Sequence, residues 1–289
     1  MRVWVQASRP RTLTAAITPV VVGTALAVRA NVFNPPLALA ALVAAVLIQI
    51  GANLANDLYD FKKGADTAER QGPQRVTSAG LLAPRTVEIG MWLTFGLAAV
   101  FGLYLVYAGG WQILAIGVAS ILAGIAYTGG PLPLGYIGLG DPLVFIFFGL
   151  VAVGGTYFLQ AHALAPQVFW AASAVGALTT NILVVNNVRD ADTDRASGKR
   201  TLAVLLGRDT ARAEYAALVL FAYATPFILW LVFNMSPWVL LPLLSLPLAV
   251  RLARTVATAT PGPALNQTLA GTAQLVAVYG ALLAVGIIL

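Results

Sequence analysis

The chain contains no cysteine and a single histidine, His162, among 289 residues. Without thiols there is no disulfide, no thiolate nucleophile and no sulfur ligand for a metal, and one imidazole cannot build a histidine cluster of the zinc type. Any bound metal must be held by oxygen. Charge is scarce too: 10% of residues are charged and 59% are hydrophobic, with a mean hydropathy of +0.84. That balance excludes a soluble globular domain and predicts a polytopic membrane protein. A net charge of +6 would suit a nucleic-acid partner in a soluble chain. In a membrane chain the same excess belongs to cytoplasmic loops, and no nucleic-acid partner is expected. Arg2, Arg9 and Arg11 precede an apolar stretch that is long enough to span and lacks a clear small-residue cleavage site, so a cleavable leader is not expected.

A spanning helix needs about 20 mostly apolar residues. Nine segments qualify, near 12–30, 36–56, 86–108, 111–128, 139–160, 167–188, 212–233, 237–254 and 266–288. Gly109–Gly110 and the stretch around Asn234–Pro237 are so short that their flanking helices must form antiparallel hairpins. The other connections that stand out, 57–85, 189–212 and 251–266, are long or charged. Lys and Arg divide unevenly between alternate sides. Sixteen of the 17, among them five in the second connection and six in the sixth, share the side of the N-terminus, and Arg29 alone lies opposite. The positive-inside rule then places the N-terminus in the cytoplasm and the C-terminus outside. The predicted fold class is an all-α membrane protein, about nine transmembrane helices in one polytopic domain over 1–289, multi-pass in the cell (inner) membrane. Pro19, Pro142 and Pro226 fall inside spans, where each either kinks the helix for a purpose or is a packing adjustment.

Acid is concentrated in two places. NLANDLYDFKKGADTAERQGPQR at 53–75 and NNVRDADTDRASGKRT at 186–201 hold seven of the eleven Asp and Glu residues, both on the predicted cytoplasmic side. If the second helix continues through Asp60, then Asn53, Asp57 and Asp60 share one face, and Asn186, Asp190 and Asp194 share another at i, i+4 and i+8. Carboxylates so close repel one another unless a cation lies between them. Magnesium suits such sites, because it takes hard oxygen ligands and is usually held by one or two carboxylates together with substrate phosphates. With Arg189 and Arg195, the interleaved Lys62, Lys63, Arg70, Arg75, Lys199 and Arg200 make eight cations beside seven acids, more than counterions alone require, and Arg suits bidentate phosphate contact. For each cation, phosphate contact competes with a solvated loop charge. For the acids a purely structural role is costly at membrane depth. The pattern points to a diphosphate bridged by magnesium between two helix ends.

These two stretches resemble the aspartate-rich motifs of the intramembrane aromatic prenyltransferase superfamily. ASRPRTLTAAITPVVVGTA near the N-terminus and YTGGPLPLGYIGLGDPLVFIFFG at 127–149 are similar to further stretches of its 1,4-dihydroxy-2-naphthoate polyprenyltransferase branch, which serves menaquinone biosynthesis. The resemblance runs from Arg9 to about Gly207. It implies helices around a central cavity and two Mg2+ ions holding an allylic polyprenyl diphosphate. It also implies 1,4-dihydroxy-2-naphthoate as the second substrate and a lipid bilayer as the surroundings. The expected metal ligands are Asn53, Asp57, Asp60 and Asp66 for one ion and Asn186, Asp190 and Asp194 for the other. Asp66 is the least secure, because its interval from Asp60 exceeds that of many relatives. Diphosphate contacts fall to Lys63, Arg70, Arg75, Lys199 and Arg200. Tyr127, Tyr136 and Tyr157 either present their rings to an allylic cation or serve packing. Asp141 either touches the aromatic substrate or caps a helix. His162 has no expected role. Competing expectations are a prenyltransferase for another acceptor, such as 4-hydroxybenzoate or homogentisate, and an ion-coupled transporter. The transporter would place its acids near the bilayer midplane rather than at helix ends.

Overall fold

A chain this apolar, in lipid, must satisfy its backbone internally, and helices do so within each segment. The structure, a computed structural model, describes residues 2–65, 71, 72 and 74–289, and among them no strand forms. In chain order the helices are α1 (Arg2–Ser8), α2 (Thr14–Arg29), α3 (Pro35–Lys62), α4 (Pro84–Gly109), α5 (Trp111–Ala126), α6 (Gly140–Ala161), α7 (Pro166–Ala196), α8 (Arg208–Leu231), α9 (Pro237–Thr258) and α10 (Leu265–Ile288). Seven of the described helices are long and apolar enough to cross a membrane, and the pair α1–α2, bent by 53°, makes an eighth. This is a multi-pass membrane protein. Helix α5 is apolar but has only 16 residues.

The chain's punctuation is where the sequence puts it. Asn34 caps α3 by accepting the Leu37 N–H at 3.3 Å, ahead of Pro35 and Pro36 in the first turn, where a missing N–H costs nothing. Gly110, at φ 77°, lets α4 turn back into α5 across one residue. Pro142 proves to lie in the first turn of α6, not in a helix interior. The irregularity of that helix is instead a π-helical stretch, Phe145–Val151, immediately beyond. Opposite it, Gly149 and Gly176 bring α6 and α7 into backbone contact: a Cβ on Gly149 would stand 2.7 Å from the Ala172 carbonyl oxygen. Small residues at crossings are how helices gain contact in lipid, where no hydrophobic drive separates helix from solvent.

Neighbours in sequence are largely neighbours in space, from α2 against α3 round to α10 against α2, with α7 packed on α2, α6, α8 and α10. The main apolar core lies on the α2, α7, α8 and α10 side. Two smaller clusters lie between α3 and its partners. Two helices overrun the expected spans: α3 continues to Lys62 and α7 to Ala196. Both acid-rich stretches therefore begin on rigid helix, not in loop.

Candidate active site

A cavity of about 980 Å³ runs between these helices. Its deeper wall is apolar and follows helical periodicity: Ala98, Gly102 and Val106 on α4, Gly117, Ile121 and Gly124 on α5. Phe147 and Val151 of the π-helical stretch add to it. The polar end is built where α3 and α7 carry their acids. Asp57, Asp60, Asn186, Asp190 and Asp194 all line the same cavity, together with Arg75, Lys199, Tyr127 and Tyr136.

Each acid is paired, as burial of a charge requires. Asp57 accepts the backbone N–H groups of Val76 at 3.1 Å and Thr77 at 3.0 Å. It thereby latches the turn that follows Arg75. Asp60 takes the Arg75 guanidinium at 2.6 Å and the Tyr136 hydroxyl. Lys199 stands between the two helix ends, 3.7 Å from Asp60 and 3.9 Å from Asp194. Its ammonium lies 4.6 Å from the centre of the Tyr136 ring, and that of Lys63 lies 5.1 Å from it. The Lys63 ammonium also donates to the carbonyls of Thr128 at 2.7 Å and Gly130 at 3.2 Å. Burial lowers its pKa from the usual lysine value, with Asp60 pulling the other way and Lys199 reinforcing the drop. Arg189 grips Asp190 through two nitrogens, at 2.8 and 2.5 Å, and reaches Asn186 and Asn266, each at 2.7 Å. Burial chiefly, then the charges of Asp141, Asp60 and Asp194, raises the pKa of the Tyr127 phenol and keeps it protonated.

Not every residue singled out in the sequence reaches the wall. Asn53 shares the buried face with Asp57 and Asp60, but its amide donates to the Ser8 carbonyl at 2.9 Å and the Thr12 hydroxyl at 3.0 Å. It thus fastens the N-terminal segment to α3. Asn56, one position from Asp57, lines the cavity and accepts the Thr128 hydroxyl at 2.9 Å. Tyr157 is buried in the core away from the cavity, Arg200 is exposed, and Lys63 turns to the 128–130 carbonyls. Asp66 and Arg70 lie outside the described residues. Conversely Arg9, Arg11, Arg189 and Asn187 line the cavity without having been singled out for it. In the sequence the arginines of SRPRT read as topology charges. Arg189 sits inside the second acid stretch.

Among the described residues no three acid or histidine side chains converge tightly enough to hold a metal unaided. Magnesium does not require that, since one or two carboxylates and substrate phosphates suffice. The donors present are hard oxygens at two facing helix ends, and among the described residues the wall carries five cationic side chains against four carboxylates. Such a wall nearly balances its own charge, and a diphosphate brings roughly three negative charges more. A divalent cation arriving with the diphosphate meets that demand, so the residues fit the ion.

Comparison with known proteins agrees with this architecture. Residues 16–287 match the UbiA prenyltransferase family. Over 259 residues the chain is 41% identical to 1,4-dihydroxy-2-naphthoate octaprenyltransferase of Escherichia coli (strain K12), covering 88% of this chain and 84% of that protein. Over 286 residues it is 41% identical to the enzyme of the same name from Mycobacterium tuberculosis, covering 96% of each. The fold superposes, with a TM-score of 0.65 at 14% identity and coverage of 98% and 99%, on a UbiA homolog from Archaeoglobus fulgidus solved with DMAPP and Mg2+. With its acid-bearing helix ends, its apolar bore and this match along almost its whole length, the chain belongs to the UbiA prenyltransferase family.

Proposed function

We propose that the protein transfers a polyprenyl group from an allylic polyprenyl diphosphate to 1,4-dihydroxy-2-naphthoate, releasing diphosphate and CO2 and giving demethylmenaquinol. The observation that carries this reading is the single cavity joining a polar end, with acids and cations from two helices, to a bore that suits a lipid tail. Relatives at 41% identity bear the name of that activity.

Asp57 and Asp60 would hold one Mg2+ and Asp190 and Asp194 a second; a UbiA homolog of the same fold is solved with DMAPP and Mg2+. When bound, the metal supplies Lewis-acid neutralisation of the departing diphosphate. Arg75 and Lys199 place fixed positive charge where negative charge accumulates as the C1–O bond breaks and its electron pair leaves with the diphosphate. Tyr136 and Tyr127 offer neutral aromatic faces to the cationic prenyl carbon. The naphthoate ring carbon bonds to that carbon, and the carboxylate on the same ring atom leaves as CO2, returning its electron pair to the ring. Because CO2 rather than a proton departs, the step needs no general base, in keeping with a Tyr127 that stays protonated. All nine long helices, α5 included, cross the bilayer as one domain, with the N-terminus and the active site toward the cytoplasm. The charge asymmetry of the loops supports that orientation.

The test is incubation of the detergent-solubilised protein with Mg2+, 1,4-dihydroxy-2-naphthoate and farnesyl diphosphate under anaerobic conditions. Prenylated naphthoquinol and one equivalent of CO2 are expected. Transfer to 4-hydroxybenzoate or homogentisate in its place would overturn the acceptor, and transfer to no aromatic would overturn the reaction.

A further inference from the structure

One polar pair on the cavity is not used by the diphosphate chemistry. Asn187 lines the cavity, and its Nδ2 lies 3.4 and 3.3 Å from the two carboxylate oxygens of Asp141. Both side chains are buried, Asp141 at 3% and Asn187 at 4% exposure, and Asp141 stands behind Asn187, off the wall. It is the Asn187 NH2 that faces Asp141, donating to the two oxygens of its carboxyl. The amide Oδ1 then faces the opposite way, toward the cavity. Position matters equally. Asn187 precedes Asp190 by three residues, about 4.5 Å along α7. One turn back along α7, beyond Asn186, the wall residue is the apolar Leu183. Asn187 therefore marks the boundary between the diphosphate end and the lipid bore, where a prenyl C1 would lie and the aromatic ring must approach it. Asn186, its neighbour, is already taken by Arg189.

We infer that Asn187 reads a hydroxyl of the aromatic acceptor, accepting its O–H through Oδ1, and that Asp141 is the positioning residue that fixes the amide in this orientation. The inference rests on the prenyltransferase reading for the identity of the ligand. A hydroxyl that donates to Oδ1 also pushes electron density into the ring, which favours attack on the allylic carbon. In Asp141→Asn the new amide can either accept from the Asn187 NH2 or donate to its Oδ1, so Asn187 is no longer held in one orientation and can turn its NH2 to the cavity. The group shown to the substrate can then change from acceptor to donor while packing is preserved.

The experiment measures binding of 1,4-dihydroxy-2-naphthoate and of 2-naphthoate, which lacks both hydroxyls. It uses the detergent-solubilised full chain with Mg2+ and a non-transferable farnesyl thiodiphosphate. The wild type should bind the dihydroxy compound about tenfold more tightly than the bare naphthoate, the size of one good hydrogen bond. That preference should vanish in Asn187→Ala and fall at least threefold in Asp141→Asn, while affinity for the thiodiphosphate stays within twofold. Asp141→Asn serves as the conservative variant if Asn187→Ala does not fold. A preference that survives undiminished in the folded variants, or equal weakening of both naphthoates, would overturn the inference. A wild type that shows the preference but transfers no prenyl group would leave this inference standing and remove the activity reading instead.

Discussion

Asp57 is held by two backbone N–H groups, which gives it a task beyond any ion it binds. Its oxygens accept from Val76 and Thr77 at 3.1 and 3.0 Å, it is 1% exposed, and the turn it latches begins at Arg75, the partner of Asp60. Asp57→Ala leaves two buried N–H groups without an acceptor, at about 1–3 kcal/mol each. Asp57→Asn keeps one oxygen and sets an NH2 against the other N–H, so the loss is about half. Stability should fall in the order wild type, Asp57→Asn, Asp57→Ala. For a chain of this size the alanine variant should lose roughly 5 °C or more in Tm, taking about 2–4 °C per kcal/mol. The assays are thermal unfolding in detergent and limited trypsin digestion. Wild-type Arg75 is buried and should resist cleavage, whereas both variants should be cut there early. Turnover should fall by about a thousandfold or more in both, from lost charge and misplaced Arg75. An alanine variant with wild-type Tm and wild-type trypsin resistance would refute the latch. An asparagine variant with near-normal turnover would remove Asp57 from the diphosphate end.

Lys199→Met should raise the KM for prenyl diphosphate by about tenfold or more, since a charge about 4 Å from its partners is worth several kcal/mol near a protein surface. Arg200→Met should change it by less than about threefold, because the Arg200 side chain is exposed, and steady-state kinetics compares the two. Chelation with EDTA should abolish turnover and added Mg2+ should restore it, as read by product formation across a metal titration. Gly176→Val should fail to fold or unfold well below the wild type, because a Cβ there would sit 2.8 Å from the Phe145 carbonyl oxygen and 3.0 Å from Gly149 Cα. Detergent size-exclusion profiles and Tm report it.

Much of this architecture is legible because its causes are local. A run of apolar residues with charges massed on one side needs no tertiary information, and helices α2 to α10 overlap the nine predicted segments one by one, with the short α1 the exception. The two acid stretches are local as well, and their convergence follows from the demand that buried carboxylates find cations. What escapes the sequence depends on where a separate element docks. Helical spacing puts Asn53 on the face of Asp57 and Asp60, but the N-terminal segment packs there and consumes the amide through Ser8 and Thr12. Asn56 reaches the wall instead. Tyr157 has the composition of a cavity residue and belongs to the core, which no pattern along α6 reveals. Arg9 and Arg11 read as topology charges until the 53° bend between α1 and α2 carries them to the cavity.

The excess of cations around the acids has a physical logic that goes beyond counterbalance. In a cavity walled by apolar helices, an unpaired carboxylate would be neutralised by a proton or left at great cost. Here Arg75, Lys199 and Arg189 pair with Asp60, Asp194 and Asp190. On the proposed reading, Arg75, Lys199 and Arg189 are the cations a diphosphate would meet, and Asp60, Asp194 and Asp190 the carboxylates that would hold its divalent cation. With these carboxylates compensated by neighbouring cations, the polar end can lie at the edge of an apolar bore without a bare buried ion. The same logic explains why Lys199 lies between two helices instead of beside one acid. Its ammonium, 3.7 Å from Asp60 and 3.9 Å from Asp194, ties the ends of α3 and α7 together through one charge that both carboxylates share.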